Sequence, residues 1–170
     1  MLARTSSLAA LALLAACGSD SPSATPAGAD ATEPDATAAT EAASPERRFL
    51  LDNAARDAVT VTDSGLQYEV LRAADGPRPA ADAVVTLHYV GTLIDGTEFD
   101  SSRARGEPAT FPLDGTIAGF SEGVRLMSVG SLYRFVLPSE LAYGDAGAGA
   151  DIGPGATLVF EIELLEIGSS

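Results

Sequence analysis

The stretch TLHYVGTLIDGTEFDSSRARGEPATF, residues 86–111, decides the fold. With Val85 just ahead of it, the first half alternates: Val85, Leu87 and Tyr89 fall on one side of an extended chain, and Thr86, His88 and Val90 on the other. Successive side chains of a strand point to opposite faces, so this is a strand with one buried face. Asp95-Gly96 between apolar runs marks a tight hairpin turn, because the favoured two-residue turns need residues that tolerate positive φ. The chain then returns antiparallel through TEFDSS, which sets Asp100 directly after the Phe99 ring. At this level two readings of Asp100 stay open: a member of a site, or a hairpin acid that caps local amides.

Outward from this hairpin the period of two recurs. GLQYEVLRAADG places Leu66, Tyr68 and Val70 on one face before a turn at Asp75-Gly76. SLYRFVLP sets Tyr133, Phe135 and Leu137 against Arg134, and TLVFEIELLEI sets Leu158, Phe160, Ile162 and Leu164 inward with Glu161 and Glu163 outward. These segments predict an antiparallel sheet with one wet face. One segment changes period: AGFSEGVRLMSVG spaces Phe120, Val124 and Met127 at i, i+4 and i+7, the stripe of a short amphipathic helix. A sheet with one apolar face and one helix to cover it make an α+β domain.

Two further segments flank this core. PERRFLLDNAARDA predicts a short helix, with Ser44 as N-cap and Pro45 at the first helical position. Arg47, Arg48 and Arg56 lie on its polar side; Phe49, Leu50 and Asn53 bury little alone, so the helix is expected to pack on the domain or on a second copy. AYGDAGAGADIGPGAT, residues 142–157, is a Gly-rich loop before the last strand, and loops of that length are usually functional or disordered.

The chain has 170 residues, with 24 Asp and Glu against 10 basic residues, all Arg, for a net charge of −14. Nucleic-acid affinity rests on clustered Lys and Arg, and this composition excludes that class of partner. Arg4 and the apolar run LAALALLAA, residues 8–16, read as a signal peptide, too short to span a bilayer. The run ends in Leu14-Ala15-Ala16-Cys17, which resembles a bacterial lipobox, and Cys17 is the single cysteine of the chain. Cys17 is therefore the expected site of lipidation and membrane attachment, since a lone thiol in an exported protein otherwise lacks a partner. Residues 18–44 hold only Ala, Ser, Thr, Pro, Gly and acids. Such a segment buries too little to offset its ordering entropy and reads as a disordered tether with a span of roughly 30 Å.

Taken together, GLQYEVL, VTLHYVGTLIDGTEFDSS, GEPATFPL, TIAGFSEGVRLMSVG, RFVLPSELAYG and ATLVFEIELLEI resemble the FKBP-type peptidyl-prolyl isomerases from about Gly65 to Ile167. The prefix FLLDNAARDAVTVTDSGLQYEVL is similar to the exported bacterial branch, the macrophage infectivity potentiators. The resemblance implies a twisted, half-barrel-like antiparallel sheet wrapped over one short helix. With the leader, tether and helix read above, the chain divides into a signal peptide (1–16), a lipidated Cys with its tether (17–44), a helix and connector (45–62) and the isomerase domain that the resemblance implies (63–170). The resemblance implies a proline pocket between sheet and helix, floored by Phe120, where many members have Trp. Tyr89, Phe99, Asp100, Ile117, Phe120, Tyr143 and Phe160 would be its catalytic residues, and Arg105, Phe111, Thr116 and Ile152 further substrate contacts. Asp100 would be a rim acid hydrogen-bonded to Tyr89 or Arg105 and not a base. At Ala109 the family often has an aromatic residue, so the lip of the pocket is expected to be thinner here.

Proline-containing polypeptides and macrolide inhibitors are the implied ligands, with no cofactor and no metal; a monomer is the favoured state. The chemistry agrees. Rotation about Xaa-Pro meets a barrier of about 18–20 kcal/mol and needs neither nucleophile nor metal. His88, the single histidine, reads as structural and not as a ligand. A chaperone or peptide-binding module of the same fold remains a second reading, and a purely structural envelope lipoprotein a third.

Overall fold

The computed structural model describes residues 44–168. The expected leader, Cys17 and the tether up to residue 43 lie outside the described residues. Helix α1 (Pro45–Ala54) leads into strands β1 (Val59–Val61), β2 (Gln67–Arg72), β3 (Val84–Leu93) and β4 (Glu98–Ser101). A four-residue helix α2 (Ser102–Arg105), β5 (Ala109–Pro112), helix α3 (Ala118–Leu126), β6 (Leu132–Leu137) and β7 (Leu158–Gly168) follow. All strand pairs are antiparallel, in the order β1-β2-β6-β7-β3-β4, with β5 also on β3.

The hairpin forms as expected, with Gly96 N donating to Leu93 O at 3.0 Å and Leu93 N to Thr97 O at 2.9 Å. The outer edge of β3 is shared: β5 pairs with residues 84–87 and β4 with residues 90–92. The two are halves of one interrupted edge strand, and α2 is the excursion between them. Inside the sheet's curve, Val85, Leu87, Phe135, Leu137, Leu158, Ile162 and Leu164 are all but fully buried. Helix α3 closes this side through Phe120, Val124 and, just past its end, Met127. Two glycines let it come close. A Cβ on Gly119 would stand 2.7 Å from Leu137 Cδ2, and one on Gly123 2.8 Å from Phe135 Cε1.

Four expectations need correction. Val70 keeps the face of Tyr68, in register with Tyr133, but is not buried with Leu66: it and Leu71 are exposed towards the end of β2. Strand β1, an edge strand pairing with β2, arises within what reads as a connector. The outer face is not uniformly wet either. Gln67, Val136 and Val159 lie in register on it and are buried, and α1 bonds to Gln67. Asn53 Nδ2 donates to Gln67 Oε1 at 2.8 Å, and Gln67 Nε2 donates to Leu50 O at 2.9 Å. The helix begins at Pro45 with Ser44 Oγ accepting from Arg47 N, as its sequence predicts, and ends four residues early, at Ala54 rather than 58.

Candidate functional site

Five rings from five elements meet at one end of the core. Tyr89 comes from β3, Phe99 from β4, Phe111 from β5, Phe120 from α3 and Phe160 from β7. Phe120 is central: it meets Phe160 edge-on at 5.6 Å, Phe111 at 6.0 Å and Tyr89 at 6.2 Å between ring centres. Phe99 meets Phe160 edge-on at 5.6 Å. Edge-to-face contact is what the ring quadrupole favours, so the cage is held by its own electrostatics as well as by burial. Tyr89, Phe120 and Phe160 keep only 6%, 6% and 5% of their surface, whereas Phe99, Phe111 and Ile117 are half-buried, so the cage is closed below and open along one side.

Gly91 makes room for it. It lies opposite Phe160 in the β3–β7 ladder and opposite Asp100 in the β3–β4 ladder. A Cβ there would stand 2.6 Å from Phe99 Cζ and 2.9 Å from Phe160 Cε1. Sequence reasoning passes over Gly91; the available signal is a glycine at the next inward position after Val85, Leu87 and Tyr89. It also passes over Ser102, which is wholly buried and bonds both backbone polar groups of Tyr89. A serine at the end of a strand-like run carries no signal of that role. His88 Nδ1 lies 3.1 Å from the same hydroxyl.

A polar triad sits on the open side. Tyr89 OH donates to Asp100 Oδ2, Arg105 Nη1 donates to Asp100 Oδ1, and Arg105 Nη2 donates to Tyr89 OH at 2.9 Å. The guanidinium also lies over the Tyr89 ring, 5.5 Å from its centre. Burial raises the Tyr89 phenol above its ordinary value, and the Asp100 hydrogen bond adds to this. Burial works against the Asp100 charge, but hydrogen bonds from Tyr89 and Arg105 outweigh it and hold the carboxyl below its usual range. Hydrogen bonds to Tyr89 and Asp100 hold Arg105 in its cationic form. Near neutrality the triad is thus phenol, carboxylate and guanidinium, with no member poised to exchange a proton. Asp100 touches both Tyr89 and Arg105, and the hairpin acid lies beside the cage.

The remaining expected residues lie at the start of α3, just ahead of it and on the Gly-rich loop. Ile117 occupies the N-cap position of α3, where no side chain caps the helix. Thr116 Oγ1 donates to Leu113 O at 2.8 Å, so its proton closes a local turn. Ile152 is buried and packs with the core. Its backbone exchanges bonds with Ala148 at 2.9 and 3.1 Å, which folds the Gly-rich loop on itself. Tyr143, on the same loop, is 40% exposed and carries a free edge.

Residues 76–165 match the family described as FKBP-type peptidyl-prolyl cis-trans isomerase, and residues 23–70 match the domain amino-terminal to it. The FKBP-type 22 kDa peptidyl-prolyl cis-trans isomerase of Escherichia coli K12 is 54% identical over 120 residues, 71% of this chain and 58% of that one. A Legionella longbeachae protein named Outer membrane protein MIP is 43% identical over 119 residues, 70% of this chain and 51% of that one. The chain spans about half the length of the curated relatives it matches. Among solved structures, E. coli FkpA superposes with a TM-score of 0.72 at 40% identity, covering 78% of this chain and 62% of that one. A peptidyl-prolyl isomerase from Pseudomonas syringae pv. tomato superposes with a TM-score of 0.71 at 38% identity, covering 81% and 99%.

Proposed function

The chain belongs to the FKBP-type peptidyl-prolyl cis-trans isomerases, and on that premise we propose that it catalyses rotation about Xaa-Pro bonds of exported or envelope polypeptides. The observation that carries this reading is the cage around Phe120 with the Tyr89–Asp100–Arg105 triad on its open side. The pyrrolidine ring rests on Phe120, walled by Tyr89, Phe99, Phe111, Ile117 and Phe160, with Ile152 behind. In the twisted transition state amide resonance is lost, and the carbonyl oxygen carries less negative charge than in the planar ground state. A dry aromatic site therefore favours the twisted amide over the planar one. The triad holds Tyr89 in place and keeps charge at the rim and out of the cage.

The uncapped first turn of α3 offers backbone N–H groups to a substrate carbonyl. The Tyr143 hydroxyl offers a second donor from the loop. Macrolides that mimic the twisted amide compete for the same surface. The lipobox Leu14-Ala15-Ala16-Cys17 supports lipid anchoring in the cell envelope, on the periplasmic side of the outer membrane where two membranes exist; the Legionella relative bears an outer-membrane name. Among the described residues no helix is long and apolar enough to cross a membrane.

The test is a protease-coupled assay on short Xaa-Pro peptides with the full chain, run beside refolding of a proline-limited protein. Turnover of both above the uncatalysed rate supports the isomerase. Faster refolding without peptide turnover favours a chaperone or peptide-binding module.

A further inference from the structure

Glu122 stands on α3 two residues beyond Phe120, and at 3.6 residues per turn its side chain leaves the helix about 200° from that ring. It reaches the turn between β1 and β2, on the side away from the cage. Thr62 Oγ1 donates to its Oε1 at 2.8 Å, and Ser64 Oγ donates to its Oε2 at 2.7 Å. Each hydroxyl has one proton to give, so the pair supplies one donor to each carboxylate oxygen. Hydrogen bonds to an ionised acceptor are of the stronger kind.

The turn that supplies them is itself fixed. Thr62 N donates to Leu66 O at 2.8 Å and Gly65 N to Thr62 O at 3.0 Å, with Leu66 fully buried. One residue further on, Gln67 is held by α1 through Asn53 and the Leu50 carbonyl.

Among the described residues no other polar side-chain contact orients α3: its only side-chain hydrogen bonds are those of Glu122. Its N-terminus has no side-chain cap, and it rests on β6 through Gly119 and Gly123. The glycine face sets how near the helix comes, Phe120 and Val124 seat it on the core, and the Glu122 clamp adds a polar tie on its other side against rotation about its axis. Any rotation of α3 moves Phe120 relative to Tyr89, Phe111 and Phe160.

We infer that Glu122 is a positioning residue for the proline site: clamped by Thr62 and Ser64, it fixes the rotation of α3 and so the placement of the Phe120 floor. Its catalytic consequence rests on the isomerase reading above; its structural consequence does not. The segment ahead of the pocket, from α1 to the β1–β2 turn, thereby becomes part of what sets the pocket's shape.

The test compares Glu122→Ala, Glu122→Gln and the pair Thr62→Val/Ser64→Ala in the full chain. Two readouts are taken: the ¹³C–¹H resonances of the Phe120 ring, and kcat and KM on an Xaa-Pro tetrapeptide well below the melting temperature. Glu122→Ala and the Thr62/Ser64 pair should shift the Phe120 ring and lower kcat/KM about five- to tenfold, the net worth of about one hydrogen bond. Combining them should add nothing further. Glu122→Gln, whose amide oxygen still accepts a hydroxyl while its amide nitrogen donates to the other, should stay near wild type. Where Glu122→Ala fails to fold, the Thr62/Ser64 pair removes the same bonds from the other side. An unmoved Phe120 ring in the folded variants, or effects that add, overturns the inference. A wild-type chain that turns over no peptide sinks the isomerase reading, and the Phe120 resonances still decide the clamp.

Discussion

Ser102 Oγ accepts from Tyr89 N at 2.8 Å and lies 3.2 Å from Tyr89 O, so one side chain takes the place of the strand partner that β3 lacks between β5 and β4. Buried backbone polar groups are paired almost without exception, and here a hydroxyl does what a ladder would do elsewhere. Ser102→Ala removes it and leaves Tyr89 N–H and C=O without that partner. Each such group costs about 1–3 kcal/mol, so the variant should lose about 2 kcal/mol or more in urea melts. A loss below about 0.5 kcal/mol would show that the edge of β3 is satisfied by other means.

The Asp100 carboxylate gives a pH signature whose sign follows from its shift. Its folded value lies below the ordinary 3.8, so the stability it contributes is present in full above that value. The contribution is lost as pH falls through the folded value. Asp100→Asn should therefore be less stable than wild type near neutrality, with the gap closing in acid. The side chain is 42% exposed and its Arg105 partner 45%, so screening limits the gap to about 1 kcal/mol or less. Melts of both proteins across the acid range decide it; a gap that widens towards low pH contradicts the assignment.

Phe160 and Tyr143 should separate stability from binding. Phe160 is a mid-strand ring in contact with Tyr89, Phe99 and Phe120. Phe160→Ala should cost about 3–5 kcal/mol, a large share of a typical 5–15 kcal/mol. Tyr143→Phe removes one hydroxyl from an exposed ring. It should leave Tm unchanged and weaken substrate or macrolide binding by about 0.5–1.5 kcal/mol. Thermal melts and inhibitor titrations read both; a Tyr143→Phe protein that binds like wild type but melts much lower would place that residue in the core.

Cys17→Ser should move the protein from the membrane to the soluble fraction of fractionated cells. Several acyl chains anchor stably where a single chain does not, so the whole effect should sit on this one sulfur. Equal membrane retention of the variant would locate the anchor elsewhere.

The hairpin at Asp95-Gly96, the alternation in β3, β6 and β7 and the stripe of α3 were legible in the sequence because each is a local, periodic signal. Features made by partners distant in the chain were not. Val70 has the period of an inward residue and keeps that face, opposite Tyr133, yet it lies exposed near the end of β2. Three residues of β1 are too few to show a period. Asn53 and Gln67 look like surface amides until each is seen to bury the other. Within the site, ring-bearing positions could be named from their resemblance to a family. Gly91 and Ser102 could not, because one acts by having no side chain and the other by bonding a backbone that any residue would carry.

Strand β7 follows every other strand in chain order, yet it lies in the middle of the sheet, between β6 and β3. Until residues 158–168 are available, β1, β2 and β6 form one ribbon and β3, β4 and β5 another, with no shared edge and with Phe160 missing from the cage. Native pairing so distant in sequence forms late and slowly. On the proposed export route, threaded N-terminus first through a membrane pore, this arrangement would act as a timer: the polypeptide would stay open and threadable through most of its passage and lock only once its last strand had crossed.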